Sequence, residues 1–171
     1  YGATELSPLV SVNVPPKRSQ SGEVDCREGS VGRPIPGVSA KIVDHETGEP
    51  LGPDTPGMLL IKGPNVMKGY LGDPEKTAEV LRDGWYNTGD MAIIDKQGFI
   101  HITGRLSRFS KIGGEMVPHI NIEEAIQGFV QSPEDEVVKA VVTSVSDDKK
   151  GERLIVVHTK LDHTPQEICD H

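Results

Sequence analysis

Alternation of polar and apolar residues marks Ser39-Ala40-Lys41-Ile42-Val43-Asp44 as a strand, and Gly57-Met58-Leu59-Leu60-Ile61-Lys62-Gly63 reads as a second. Between them Glu46-Thr47-Gly48-Glu49-Pro50 has the composition of a turn. At Asp73 the period changes to that of a helix, with Asp73 as N-cap, Pro74 at the first helical position and an end near Leu81. Strands return at Met91–Asp95 and Phe99–Thr103, joined by the compact connection Lys96-Gln97-Gly98. Beyond Arg105 the pattern predicts a hairpin near Phe109–Val117, a helix over about Ile120–Gln131, strands near 136–145 and 152–160, and a helix opening at Thr164. Thr164, Pro165 and Glu167 have the spacing of a capping box. Upstream, the segment to about Arg18 leans to β, and the polar run Ser19–Gly29 reads as a mobile surface loop. A β-rich domain followed by a smaller α+β domain is the organisation these elements imply.

Composition narrows the function classes. The chain has 171 residues, enough to bury a core, and its 19 glycines and 13 prolines favour short strands and many turns. With 26 acidic against 18 basic residues the formal charge is −8, which argues against broad attraction to nucleic acid or anionic lipid, so any nucleotide must be held by local geometry. No apolar run reaches the length of a membrane span and no charged-then-apolar leader is present, so a cytoplasmic location is expected. Cys26 and Cys169 have no metal spacing and no disulfide framework, in keeping with a reducing compartment. Tyr1 is not a methionine and opens a motif, and the helix at Thr164 has room for only two turns, so a longer parent protein is expected.

Three short stretches carry candidate chemistry. Tyr1-Gly2-Ala3-Thr4-Glu5 offers a ring that can stack on a base, a hydroxyl that can donate to phosphate and a carboxylate that can hold Mg²⁺. Gly84-Trp85-Tyr86-Asn87-Thr88-Gly89-Asp90 ends in a glycine-punctuated turn that would leave the Asp90 carboxylate free to accept from the vicinal hydroxyls of a ribose. Arg105, Arg108 and Lys111 recur every three residues, placed to converge on phosphate or to form a solvated basic face. Taken singly, each has a plain alternative: a polar strand end, a turn-stabilising aspartate, a solvated face. His119 reads as a surface-loop histidine with no nucleophile or metal partner in view, and the Asp147–Glu152 run as a solvated loop.

In order and spacing, these stretches resemble the motifs Tyr-Gly-x-Thr-Glu, Gly-Trp-x-x-Thr-Gly-Asp and the Gly-Arg segment of the acyl-activating, AMP-forming ligase family, which includes acyl-CoA synthetases, acyl-carrier-protein synthetases and adenylation domains. Gly57–Gly69 with Tyr70 resembles a further family signature, read here as structural. The resemblance implies an α+β fold with a β-barrel-like subdomain, residues 1–104, that ends the large adenylation domain. A hinge at 105–110 and a partial C-terminal α+β domain at 111–171 would follow. It implies ATP or AMP with Mg²⁺ as cofactors, Tyr1 near adenine, Thr4 on the α-phosphate, Glu5 on the metal, Asp90 on the ribose and Arg105 between ribose and phosphate. Lys111, with Gly113 and Gly114, belongs to the loop that relatives bring to the second half-reaction, and Ser107 takes the hinge position where many relatives carry Asp or Lys.

The reaction so implied joins a carboxylate to AMP and passes the acyl group to a thiol. Ser107 and Phe109 differ from the residues found in amino-acid-activating domains, which favours a fatty acid substrate. The run Gly104–His119 is most similar to acyl-acyl-carrier-protein synthetases, including bifunctional proteins with a 2-acylglycerophosphoethanolamine acyltransferase domain that repair phospholipid at the inner membrane. Acyl carrier protein or coenzyme A is the expected thiol partner. Relatives carry a phosphate loop before the first of these motifs and a lysine near the end of the small domain. The sequence has neither, so weak AMP binding without turnover is expected of it. The alternative from another class is a non-catalytic β-barrel interaction module.

Overall fold

A computed structural model describes residues 1–15, 25–130, 138–161 and 164–170. The chain divides into two units, Tyr1–Leu106 and Ser107–His171.

In the first unit a 3₁₀ turn at Thr4–Leu6 leads into β1 (Ser11–Val12), which pairs with β2 (Arg33–Pro34). Then β3 (Ser39–Val43), β4 (Gly57–Lys62), α1 (Pro74–Val80), β5 (Leu81–Arg82), β6 (Trp85–Ile94) and β7 (Ile100–Arg105) follow. All pairings are antiparallel; the sheet runs β3-β4-β6-β5, and β7 also pairs with β6. Backbone bonds from Val31 N to Ile100 O and from Ile100 N to Gly32 O tie β7 to the segment entering β2, which gives the sheet its barrel-like return. Strand alternation selects the core: Ile42, Leu59, Ile61, Tyr86, Ala92 and Ile100 face inward to meet Leu6 and Val10. Each such aliphatic side chain contributes about 1.5–3 kcal/mol by leaving water. Asp73 caps α1 by accepting from Lys76 N, with Pro74 at the first position.

Strand β6 is longer than the sequence pattern indicates. Its first residues, Trp85–Asn87, form ladder pairs with β5 and β4. The turn lies earlier, at Asp83-Gly84, both with positive φ (53° and 77°), closing a two-residue hairpin between Arg82 and Trp85. The expected mobile loop also ends sooner: Asp25 O accepts from Val14 N, and Arg27 pairs with Asp95 and lies over Phe99. The remainder of that loop, 19–24, lies outside the described residues.

A 3₁₀ turn at Leu106–Arg108 spans the boundary, and the second unit continues with β8 (Phe109–Ile112), β9 (Glu115–Pro118), α2 (His119–Val130), β10 (Ala140–Asp147), β11 (Gly151–His158) and α3 (Pro165–Asp170). Its sheet runs β10-β11-β8-β9, and Ile126 on α2 packs with Ala140 and Val142 on β10. Thr164 and Glu167 make the reciprocal bonds of a capping box: Thr164 N donates to Glu167 Oε2 at 2.7 Å and Glu167 N to Thr164 Oγ1 at 3.3 Å. Positions 131, 136 and 137 of the expected helix and strand lie outside the described residues. Between Asp147 and Gly151 there is only a turn, with Asp147 accepting from Lys149 N and Lys150 N. Glu152 sits on β11. Cys26 is an exposed free thiol. Among the described residues, no helix is long and apolar enough to cross a membrane.

Candidate functional site

The site grows from an irregularity in β6. Between the pairs Leu60↔Asn87 and Met58↔Met91, β4 spends one residue, Leu59, while β6 spends three, Thr88, Gly89 and Asp90. This bulge needs one left-handed residue, and Gly89 supplies it at φ 71°. Neighbouring side chains satisfy the displaced backbone: Asp90 N donates to Thr88 Oγ1 at 3.0 Å, Thr88 Oγ1 to Leu59 O at 2.9 Å, and Gly89 N to Asn87 Oδ1 at 3.0 Å.

Asp90 is thus a strand residue, not a turn residue, and its side chain is only 8% exposed. The expectation of a carboxylate free in a turn is not met. Tyr1 Oη donates to Asp90 Oδ2, and Arg105 Nε, opposite Asp90 in the β6–β7 register, lies 3.0 Å from Oδ1. Burial, then the hydrogen bond to Asp90, raises the Tyr1 phenol well above its ordinary range, so it stays a donor. Each carboxylate oxygen has two lone-pair sites, so both engaged oxygens can accept a further donor. Arg105 covers the aspartate from outside, 70% exposed, in an ion pair of small net worth.

Thr4 and Glu5 occupy the 3₁₀ turn, Thr4 exposed and Glu5 half-buried. Tyr70 Oη donates to Glu5 Oε1 at 2.9 Å. Behind it, burial and the Glu5 charge push the Tyr86 phenol up to about 12. Among the described residues no three His, Cys, Asp or Glu side chains cluster as a metal cage. A single carboxylate on a turn suits a hard, largely hydrated cation that takes its other ligands from water and phosphate, so Glu5 fits Mg²⁺ in that shared role.

The three spaced cations divide between the two units and differ in their contacts. Arg105 serves Asp90, whereas Arg108 is held by Glu123 Oε1 at 2.5 Å and donates to Val142 O at 3.2 Å. Lys111 is exposed on β8 in the second unit, its backbone N donating to Glu152 Oε2 at 2.6 Å. The structure therefore joins Tyr1, Asp90 and Arg105, sets Thr4 beside Glu5, and places Lys111 in the other unit.

His119 corrects the sequence reading outright. It is buried at the start of α2, 3% exposed, with Nε2 2.6 Å from Ser110 Oγ, and its Nδ1 has no partner among the described residues. Burial first, then the nearby Arg108 charge, lowers its pKa, while Glu123 and Glu152 pull the other way. The unfolded chain then binds the proton more readily than the folded one. Stability is complete above about pH 6.5 and falls as pH drops towards the lower folded-state value. Urea midpoints followed through second-unit amide signals should fall between pH 7.5 and 5.5, and His119→Gln should flatten that fall. An unchanged slope in the variant would reject the assignment.

A groove of about 390 Å³ lies on the outer face of the first sheet, with Lys41, Met58, Leu60 and Trp85 in its wall. It contains none of Tyr1, Thr4, Glu5, Asp90 or Arg105.

Known proteins resemble this chain in sequence and in fold. Residues 1–71 match the family model described as AMP-binding enzyme. The chain is 40% identical over 155 residues to the mitochondrial medium-chain acyl-CoA ligase ACSF2 of Mus musculus, covering 90% of this chain and 24% of that protein. It is 37% identical over 162 residues to a long-chain-fatty-acid–CoA ligase of Escherichia coli, covering 95% and 27%. In fold it is similar to ATP-bound MatB from Rhodopseudomonas palustris, with TM-score 0.70 and 37% identity over 92% of this chain and 29% of that one. The chain spans about a quarter of the length of these ligases. In sequence and in fold, the chain is similar to AMP-binding enzymes and to part of the acyl-CoA ligases.

Proposed function

We propose that this chain is the part of an ATP-dependent acyl-activating ligase that grips the ribose of the nucleotide and carries the hinge between the enzyme's two moving parts. The observation that supports it is the convergence of Tyr1 and Arg105 on the buried Asp90 carboxylate at the β6 bulge. Vicinal hydroxyls donate to the remaining lone pairs of Asp90. Arg105, weakly held because it is exposed, turns towards ribose and phosphate. Tyr1 borders the adenine, Thr4 donates to the α-phosphate, and Glu5 ligates Mg²⁺. When bound, that ion neutralises charge on the phosphates. Ser107, at the boundary between the units, is the pivot, and Lys111 rides on the hairpin delivered for thioester formation.

The substrate in this reading is a fatty acid. Coenzyme A is the thiol, as the names of the medium- and long-chain ligases suggest. Acyl carrier protein is the alternative, resting on the run Gly104–His119; a parent of that kind would add acyltransferase activity and phospholipid repair. Titrating the ¹⁵N-labelled chain with AMP tests the ribose site. Saturable shifts are expected around Asp90 and Arg105, weakened about tenfold or more in Asp90→Ala, because hydrogen bonds to a charged group carry about 1.5–3 kcal/mol. Equal shifts in the variant would make Asp90 a structural residue and sink the assignment.

A further inference from the structure

We propose that Tyr70 is a positioning residue for the Glu5 carboxylate, and that helix α1 serves to hold Tyr70 in place. The proposal rests on the reading above, in which Glu5 faces the cation. It gives the Gly69-Tyr70 step, read from sequence as structural, a part in the chemistry.

Helix α1 has no fully buried residue, and its contact with the core is a single partly buried side chain at its end, Val80. Its polar contacts converge instead on Tyr70. Tyr70 N donates to Thr77 Oγ1 at 2.9 Å, and that hydroxyl donates in turn to Asp73 O at 2.8 Å. Asp73 N returns a bond to Tyr70 O at 3.2 Å, so the residue is held at both backbone groups. The Lys76 ammonium lies 4.8 Å from the centroid of the Tyr70 ring. Gly69 lets the chain pass close to the helix: a Cβ there would stand 2.8 Å from Thr77 Cγ2.

The fixed ring delivers its hydroxyl to Glu5 Oε1 at 2.9 Å, across 65 positions of sequence. Glu5 is also held by its own backbone, whose carbonyl accepts from Met67 N at 2.8 Å. On the core side the Tyr86 phenol is raised by burial and by the charge of the same Glu5 carboxylate. Among the described residues Tyr70 is the one hydrogen-bond partner of the Glu5 carboxylate, and it takes one oxygen. The other oxygen is left for a ligand. An outer donor that fixes a ligating carboxylate is the arrangement by which metal sites orient their ligands, and losing such a donor weakens metal affinity about 10–100-fold.

The test uses the 171-residue chain, with Tyr70→Phe and Thr77→Val as variants. The second keeps the phenol and removes the acceptor for Tyr70 N. In metal-free samples, three-bond couplings should report a single Glu5 rotamer in the unsubstituted chain and averaging in both variants. With Mn²⁺ and ATP as probe, paramagnetic broadening should centre on residues 3–6, and the Mn²⁺ concentration needed should rise about 10–100-fold in Tyr70→Phe. One rotamer and unchanged broadening in both variants would overturn the proposal. Averaged rotamers with unchanged Mn²⁺ response would also overturn it, by separating the contact from the metal. Broadening that never centres on Glu5 in the unsubstituted chain would remove the metal role of Glu5, and with it the reading beneath, while the couplings still decide whether Tyr70 orients the carboxylate.

Discussion

Phe99→Ala is expected to lower the stability of the first unit by about 3–5 kcal/mol, the usual cost of emptying a buried aromatic site. Phe99 is fully buried, and its ring lies between two guanidinium groups, Arg27 at 4.9 Å and Arg33 at 4.5 Å from the centroid. Each contact adds about 0.5–1 kcal/mol or more when shielded from water. Its backbone closes the β6–β7 hairpin, since Phe99 N donates to Asp95 Oδ1 and Asp95 N to Phe99 O. Asp95 also takes Arg27, so one aspartate fastens the turn, the ring and the incoming chain. The far end of the same hairpin carries Asp90 opposite Arg105, so fraying at Phe99 should also weaken the AMP response there. Urea unfolding can be followed by the fluorescence of Trp85, the single tryptophan, which lies on β6. Domains hold about 5–15 kcal/mol in all, so the midpoint should fall by a large fraction. Phe99→Leu, which keeps much of the volume and loses the cation contacts, should cost less. A loss below about 1 kcal/mol in Phe99→Ala would show that the ring is not the anchor described.

What sequence could and could not reveal follows from the range of the interactions involved. The strands at 39–43 and 57–62, the capped helix at Asp73 and the capping box at Thr164 rest on contacts within a few residues, and pattern reading finds them. The Asp83-Gly84 turn was equally local and carried a strong hairpin signal, but the glycines of the neighbouring motif drew the turn towards Asp90. The bulge at Gly89 was out of reach because it exists only relative to β4, 30 residues earlier. The motifs also named Asp90 and Arg105 without showing that they pair, and Glu5 without Tyr70. His119 was misjudged because its partner, Ser110, reaches it only once β8 and β9 fold back on each other. Glu152 reads in sequence as part of a solvated loop and Glu123 carries no assigned contact, since a glutamate on a helix or beside a turn reads as solvated. Both are acceptors for backbone N–H groups of the second unit, those of Val142 and Lys111.

Glu123→Ala should destabilise the second unit by about 2–3 kcal/mol. Breaking a buried ion pair costs about 3–5 kcal/mol, reduced here because Arg108 is 38% exposed. Glu123 Oε1 accepts from Arg108 at 2.5 Å and from Val142 N at 2.6 Å, while Arg108 also donates to Val142 O. One carboxylate therefore joins α2, β10 and the 3₁₀ turn beside Ser107. Burial alone would raise the Glu123 pKa, but the bonds from Arg108 and Val142 N outweigh it and hold it below the usual carboxylate range. The stabilisation is present above that range and is lost as pH falls through the lower folded-state value. Removing the carboxylate leaves Val142 N without its acceptor and Arg108 without its counter-charge, and the second loss falls on the residue next to the proposed pivot. Trp85 does not report on this unit, so the readout is hydrogen exchange at amides 140–145, which should accelerate about 30- to 150-fold at neutral pH for that energy. Glu123→Gln retains an acceptor for Val142 N and should lose less, a difference that separates the hydrogen bond from the charge. If exchange is unchanged in Glu123→Ala, the pair is surface decoration, and the proposed pivot at Ser107 has no fixed neighbour in Arg108.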